Sequence, residues 1–271
     1  MATLPDEIRQ FCSNNHLHLN TDLGQHFLID EEVLASIVSA AHIEKDDHIV
    51  EIGPGIGVLT RELLKHASTV TTIELDKRLI PFLKQFTKAS TGNCELLVIN
   101  DNALTTPLPS TTYKIVANIP YHITSPLLRH AFLESSLPPT TMTLLIQREV
   151  AERICSEKDR GMLTILVQLF GDPKIVRNVP PAAFLPPPKV DSSVLQIDCF
   201  SKPKVPPDVL EEIFRLTKIG FGQKRKMLSN TIGALPEGDA LLKNTNIDPQ
   251  RRPQTLDIDE WIELAKRSLK H

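Results

Sequence analysis

The stretch that most constrains the fold of this chain is His48-Ile49-Val50-Glu51-Ile52 running directly into Gly53-Pro54-Gly55-Ile56-Gly57, with a helical pattern from Val58 to His66 behind it. A short apolar, β-branched run that ends in glycines and opens a helix places backbone N–H groups at a helix N-terminus, where a polar ligand can be held. The same alternation continues. Thr69-Val70-Thr71-Thr72-Ile73-Glu74 reads as a second strand and Arg78 to Lys88 as a second helix. Glu95 to Ile99, Lys114 to Ala117 and Thr141 to Ile146 supply three more strands, and 174–180 with 193–199 two further ones around a proline-rich loop. Helical patterns at Glu32 to Val38 and Leu163 to Phe170 complete this part. Alternating strands and helices predict an α/β fold: a Rossmann-like, doubly wound, mostly parallel sheet of seven strands. From Pro207 onward the pattern is helical only, at Leu210 to Lys218, Lys224 to Ile232 and Asp259 to Leu269. The expected division is a domain over 1–201, its first 30 or so residues forming a lid, and a small all-α C-terminal domain over 202–271.

Charge and cysteines narrow the class. The net charge is −3, yet residues 201–271 hold 13 Lys+Arg against 10 Asp+Glu, so the positive excess lies in the C-terminal part. Local excess of this kind matters more for nucleic-acid binding than the sum. Cys12, Cys94, Cys155 and Cys199 are scattered without a C-x-x-C pair, which indicates free thiols in a reducing compartment and neither a zinc site nor a disulfide framework. No apolar run approaches a membrane span. The acids and missing arginines of Met1 to Glu7 argue against a transit peptide, so the expected location is the cytoplasm.

Two clusters carry chemistry. Glu74 follows Gly53 at about the spacing from which an acid grips ribose hydroxyls. Turn and acid alone also describe a nicotinamide dehydrogenase, but Val58 stands where a G-x-G-x-x-G fingerprint needs its last glycine. The second cluster is Asn118-Ile119-Pro120-Tyr121, at the end of an apolar strand. An amide offers one acceptor and two donors, the Ile-Pro step frees a carbonyl, and tyrosine adds an aromatic face. Together they suit a planar base held by its amino group.

Asn118-Ile119-Pro120-Tyr121 resembles the catalytic motif of methyltransferases acting on exocyclic amino groups. Gly24-Gln25-His26-Phe27-Leu28-Ile29-Asp30, the G-x-G-x-G turn, Val179-Pro180-Pro181-Ala182-Ala183-Phe184 and Pro187-Pro188-Lys189-Val190-Asp191-Ser192 resemble, in order, the motifs of the ribosomal RNA adenine dimethylase family. The resemblance covers roughly residues 20–200. It implies a seven-stranded S-adenosyl-L-methionine (SAM) methyltransferase sheet with SAM as cofactor. Gly53 and Gly55 would line the methionine and ribose side, Glu74 take the ribose, and His26 and Leu28 cover the cofactor. Asn118 borders the same site, and Asn118 with Pro120 would orient the target amine between the faces of Tyr121 and Phe184. Where the family has G-D-A-L, this chain has Asn100-Asp101-Asn102-Ala103-Leu104; alignment on Ala103-Leu104 gives Asn102 the contact to the cofactor's adenine, with Asp101 as the alternative. His26 replaces an asparagine, and Asn20-Thr21-Asp22 replaces residues that are commonly basic.

Phe221 to Leu228 and Arg251 to Ile258 resemble segments of the small-subunit branch of the family. They imply dimethylation, at N6, of two adjacent adenosines in a hairpin near the 3′ end of small-subunit rRNA during ribosome biogenesis, by a monomer that grips RNA through Lys224, Arg225 and Lys226. A non-catalytic RNA-binding assembly or transcription factor on the same fold is the alternative, and the intact Asn118 motif disfavours it. Pro186-Pro187-Pro188 is expected to be a rigid loop shaping the target pocket rather than a polyproline ligand.

Overall fold

The computed structural model describes residues 3–17, 25–90, 92, 94–223 and 225–270. In chain order the elements are α1 (Leu4–Asn14), β1 (Phe27–Leu28), α2 (Glu31–Ala40), β2 (His48–Ile52), α3 (Val58–Leu63), β3 (Thr69–Ile73), α4 (Ile80–Thr87), β4 (Glu95–Ile99), β5 (Lys114–Asn118), α5 (Thr124–Arg129), β6 (Thr141–Gln147), α6 (Arg148–Ile154), α7 (Met162–Phe170), β7 (Gly171–Val179), β8 (Phe184–Leu185), β9 (Ser192–Cys199), α8 (Pro207–Phe221), α9 (Gly238–Asn244) and α10 (Ile258–Ser268). Seven strands form one sheet in the order β4-β3-β2-β5-β6-β9-β7. β2 pairs parallel with β3 and β5, β3 with β4, and β5 with β6, while β9 runs antiparallel to β6. The expected mostly parallel, doubly wound sheet is therefore present. Its central strands are apolar on both faces because helices cover both: Ile49, Val50, Ile115, Val116, Leu144 and Leu145 are all fully buried.

The winding reverses at β2, with β3 on one side and β5 on the other. Ligands of such sheets bind beyond the carboxyl ends of the strands at this switch point. Gly53, Glu74, Asp101 and Asn118 all stand at or just past those ends. A separate two-stranded antiparallel sheet pairs Phe27 with Leu185 and Leu28 with Phe184. Asp30, last residue of the Gly24–Asp30 motif, caps α2 by accepting from the N–H groups of Glu32 and Val33. Gly24 and Asn20-Thr21-Asp22 lie outside the described residues.

Two expectations are corrected. The chain divides into one compact unit of 1–151 with 174–199 and a second of 152–173 with 200–271. Residues 152–173 thus leave the first domain, because α7 packs with α8 and α10, and Phe170 and Leu169 accept backbone bonds from Phe200 and Lys204. The helix expected from Lys224 to Ile232 does not form. Met227 is extended, and the N–H groups of Leu228 and Ser229 donate to the carbonyls of Arg251 and Pro249 instead of a preceding turn. Only Leu228–Asn230 makes a single 3₁₀ turn. Conversely α1 was unassigned from sequence; Thr3 caps it, and Leu4 and Ile8 bury its apolar side.

Candidate active site

Beyond the ends of β2, β3, β4 and β5 lies a cavity of about 370 Å³. His26, Leu28, Gly53, Gly55, Glu74, Asn102, Asn118 and Pro120, all expected at the site, line it. Asp101 lines it too, as do Glu51, Leu75 and Asp76, to which the sequence reading gave no role.

The glycine turn is fixed by positive φ angles that other residues rarely adopt, +60° at Gly55 and +96° at Gly57. A Cβ at Gly55 would lie 2.8 Å from the Phe27 ring, and one at Gly57 would lie 2.6 Å from Leu83. Glu74 braces this turn. One carboxylate oxygen accepts from the Gly55 N–H (3.1 Å) and the other from the Asp76 N–H (2.8 Å). Each oxygen keeps acceptor capacity for a ligand hydroxyl. Burial pushes the Glu74 carboxyl above its ordinary range, against the pull of these backbone bonds. Asp76 moves the other way, to about 2, because the Arg78 guanidinium grips it. Glu51 is almost fully buried, accepts from the Thr60 hydroxyl, and is pushed up to about 8, chiefly by desolvation.

At the adenine end, the Asn102 side-chain oxygen caps the Leu104 N–H (3.0 Å), while Asp101 accepts from the Asn102 N–H through one oxygen only. The second oxygen of Asp101 has no partner among the described residues. This favours the alternative, Asp101, over Asn102 as the adenine contact.

At the end of β5, the Asn118 amide nitrogen donates to the His26 carbonyl (3.2 Å), which leaves the amide oxygen as acceptor. Tyr121 is half-buried, its hydroxyl 2.7 Å from that of Ser192, and burial keeps its phenol protonated by raising the hydroxyl. Ser192 stood inside a quoted motif, yet only the fold shows its partner. The His26 ring lies within 16° of parallel to the Tyr121 ring, with centroids 6.4 Å apart. Phe184 departs from expectation. Its side chain is buried in the hydrophobic core and presents no face to the cavity, because pairing with Leu28 turns it inward.

In the second unit, Arg225 and Lys226 are exposed and make no ion pair among the described residues; Lys224 lies outside them. Arg251, in contrast, is held in a two-bond pair by Glu260.

A strand-end amide, an aromatic ring beside it and a glycine-turn cavity with a ribose-ready acid suit methyl transfer to a base amine. Compared with known families, residues 16–270 match Ribosomal RNA adenine dimethylase. The chain belongs to this family. It is therefore a methyltransferase, and its methyl donor is SAM. The cavity fits that cofactor: the turn at Gly55 lets backbone approach closely, and Glu74 faces the position of a ribose. Among relatives of this dimethylase are the ribosomal RNA small subunit methyltransferases A of Alkaliphilus oremlandii, 38% identical over 98% of this chain and 97% of the relative, and of Clostridium botulinum, 39% identical over 95% and 96%. Among solved structures, a dimethyladenosine transferase from Plasmodium falciparum matches with a TM-score of 0.78 at 28% identity, over 90% of this chain and 98% of that one. The 23S rRNA methyltransferase ErmE matches with 0.73 at 27% identity, over 89% and 98%.

Proposed function

We propose that this dimethylase modifies N6 of two adjacent adenosines in a hairpin near the 3′ end of small-subunit rRNA, in the assembling subunit, as a cytoplasmic monomer. The relatives named for the small subunit, matching over nearly their whole length, support that choice of RNA. The observation that carries the chemistry is the Asn118 amide, whose nitrogen is tied down and whose oxygen is free to accept.

Adenine's exocyclic amine is a poor nucleophile because its lone pair is delocalised into the ring. Hydrogen bonds from N6–H to the Asn118 oxygen and to a backbone carbonyl favour a more tetrahedral nitrogen and stabilise the positive charge that develops there. The Pro120 carbonyl already accepts from the Ile123 N–H, so Ile119 is the residue whose carbonyl serves. Tyr121 supplies an aromatic face for the flipped base, worth roughly 1–3 kcal/mol. SAM, when bound, supplies an electrophilic methyl group. Glu74 and the glycine turn orient it, which makes the transfer a matter of positioning. Arg225 and Lys226 serve as phosphate contacts; neutralising both lowers the salt slope of RNA binding by about 0.7–0.9 per lost contact.

The test is labelled-methyl transfer from SAM to small subunits lacking the modification, with large subunits alongside. Transfer to small-subunit RNA is expected. Transfer only to large-subunit RNA overturns the choice of RNA, and tight binding without transfer to either favours an assembly factor.

A further inference from the structure

We propose that the His26 imidazole is the second aromatic face of the target-base slot, opposite Tyr121, in the place that sequence assigned to Phe184. The inference rests on the reading of the cavity as a base-methylating site.

Three observations lead to it. The rings of His26 and Tyr121 lie within 16° of parallel with centroids 6.4 Å apart. A planar base held on both faces needs about 6.8 Å, twice the ~3.4 Å spacing of stacked bases. A small outward movement of either ring therefore opens a slot of the right width. Second, His26 is anchored rather than loose. The Pro186 carbonyl can only accept, so Nδ1 carries the hydrogen and donates to it at 2.7 Å. The backbone carbonyl of His26 meanwhile receives the Asn118 amide nitrogen, which links this ring to the group that orients the reacting amine. Third, Phe184 is buried in the core, so its ring is not available on that side. An asparagine at position 26 could form hydrogen bonds but could not stack, so the histidine changes what this position does.

The experiment compares His26→Phe, His26→Asn and His26→Ala in the full-length enzyme. Single-turnover methyl transfer to small-subunit RNA is measured beside calorimetric SAM affinity. A stacking role predicts that Phe stays within about threefold of wild type. Asn and Ala each slow transfer about tenfold, one decade being about 1.4 kcal/mol, with SAM affinity changed less than twofold. The proposal is overturned if Asn matches wild type while Phe is as slow as Ala and SAM affinity follows the rate, because His26 then serves the cofactor by hydrogen bonding. Stacking is also read without turnover, from the emission of a single-stranded oligoribonucleotide carrying 2-aminopurine, bound to enzyme loaded with S-adenosylhomocysteine. Wild type and Phe should quench it alike and Ala should not; equal emission from all three overturns the proposal. Inactivity of the wild type on both ribosomal RNAs would instead count against the functional reading, and the emission measurement would still decide the role of His26.

Discussion

The cofactor side of the cavity comes from successive strand ends within residues 51–102, whereas the base side is gathered from residue 26, residues 118–121 and the segment around Ser192. Backbone fixes the first: two glycines at positive φ and a carboxylate bridging the Gly55 and Asp76 N–H groups. Side chains fix the second: Asn118 on the His26 carbonyl, Tyr121 on Ser192, His26 on Pro186. A backbone-built site leaves little to vary without breaking the turn. A side-chain-built one can exchange an asparagine for a histidine and keep its frame.

If the two sides are separable, Asn118→Ala should give the largest effect, slowing single-turnover transfer roughly 10²–10³-fold as the loss of one preorganised group. RNA and SAM affinities should barely move. Near-normal transfer would refute the assigned role, and an equal loss of SAM affinity would show that the two sides are coupled. Glu74→Ala should do the reverse, weakening SAM by about 10- to 150-fold, or roughly 1.5–3 kcal/mol for a charge-assisted hydrogen bond. Because Glu74 also braces the turn, some loss of stability should accompany it. Calorimetry showing unchanged affinity in a folded variant would remove Glu74 from the site.

Glu51 separates the fold of the cofactor side from its ligand. Its folded value of about 8 stands above the ordinary 4.5, so the folded protein keeps a proton that the unfolded chain has released. The resulting stability is complete below about pH 4.5 and is lost as pH rises through 8. Glu51→Gln should flatten this dependence in denaturant titrations between pH 5 and 8, and an unchanged slope would mean that Glu51 is ionised in the fold. The smallest effect is expected from Tyr121→Phe. It keeps the ring and loses only the Ser192 bond, about 0.5–1.5 kcal/mol, so transfer should remain within about tenfold of wild type. A Ser192→Ala variant that behaves differently would break the pairing.

The long strands of the sheet were legible because buried parallel strands read as continuous apolar, β-branched runs; β2, β3 and β4 begin at the residues that the pattern indicates. The glycine turn and Glu74 were legible for a related reason, since their function is local in sequence. β1 and β8 were not, because two residues display no periodicity. The helix expected after Lys224 fails because a tertiary partner, the 249–251 loop, takes the N–H groups that a helix would use, so packing outweighs propensity. Ser192 was placed in a motif without a task, and Phe184 was given the wrong one, because both depend on which residue lies opposite across the fold. The ring pair of His26 and Tyr121 joins positions that no local pattern could bring together.

The small sheet of β1 and β8 also orders events during synthesis. Phe27 and Leu28 find their partners only when Leu185 and Phe184 exist, more than half the chain later. At about 5–20 residues per second, that interval is on the order of 10–30 s. Through it, a nascent chain can hold a complete glycine turn beside a wall that has nothing to lean on. Chains truncated before residue 184 should therefore stay soluble only briefly, since Phe27 and Leu28 would remain exposed. An enzyme that works on ribosomes thus finishes its own active site only late in its passage through one.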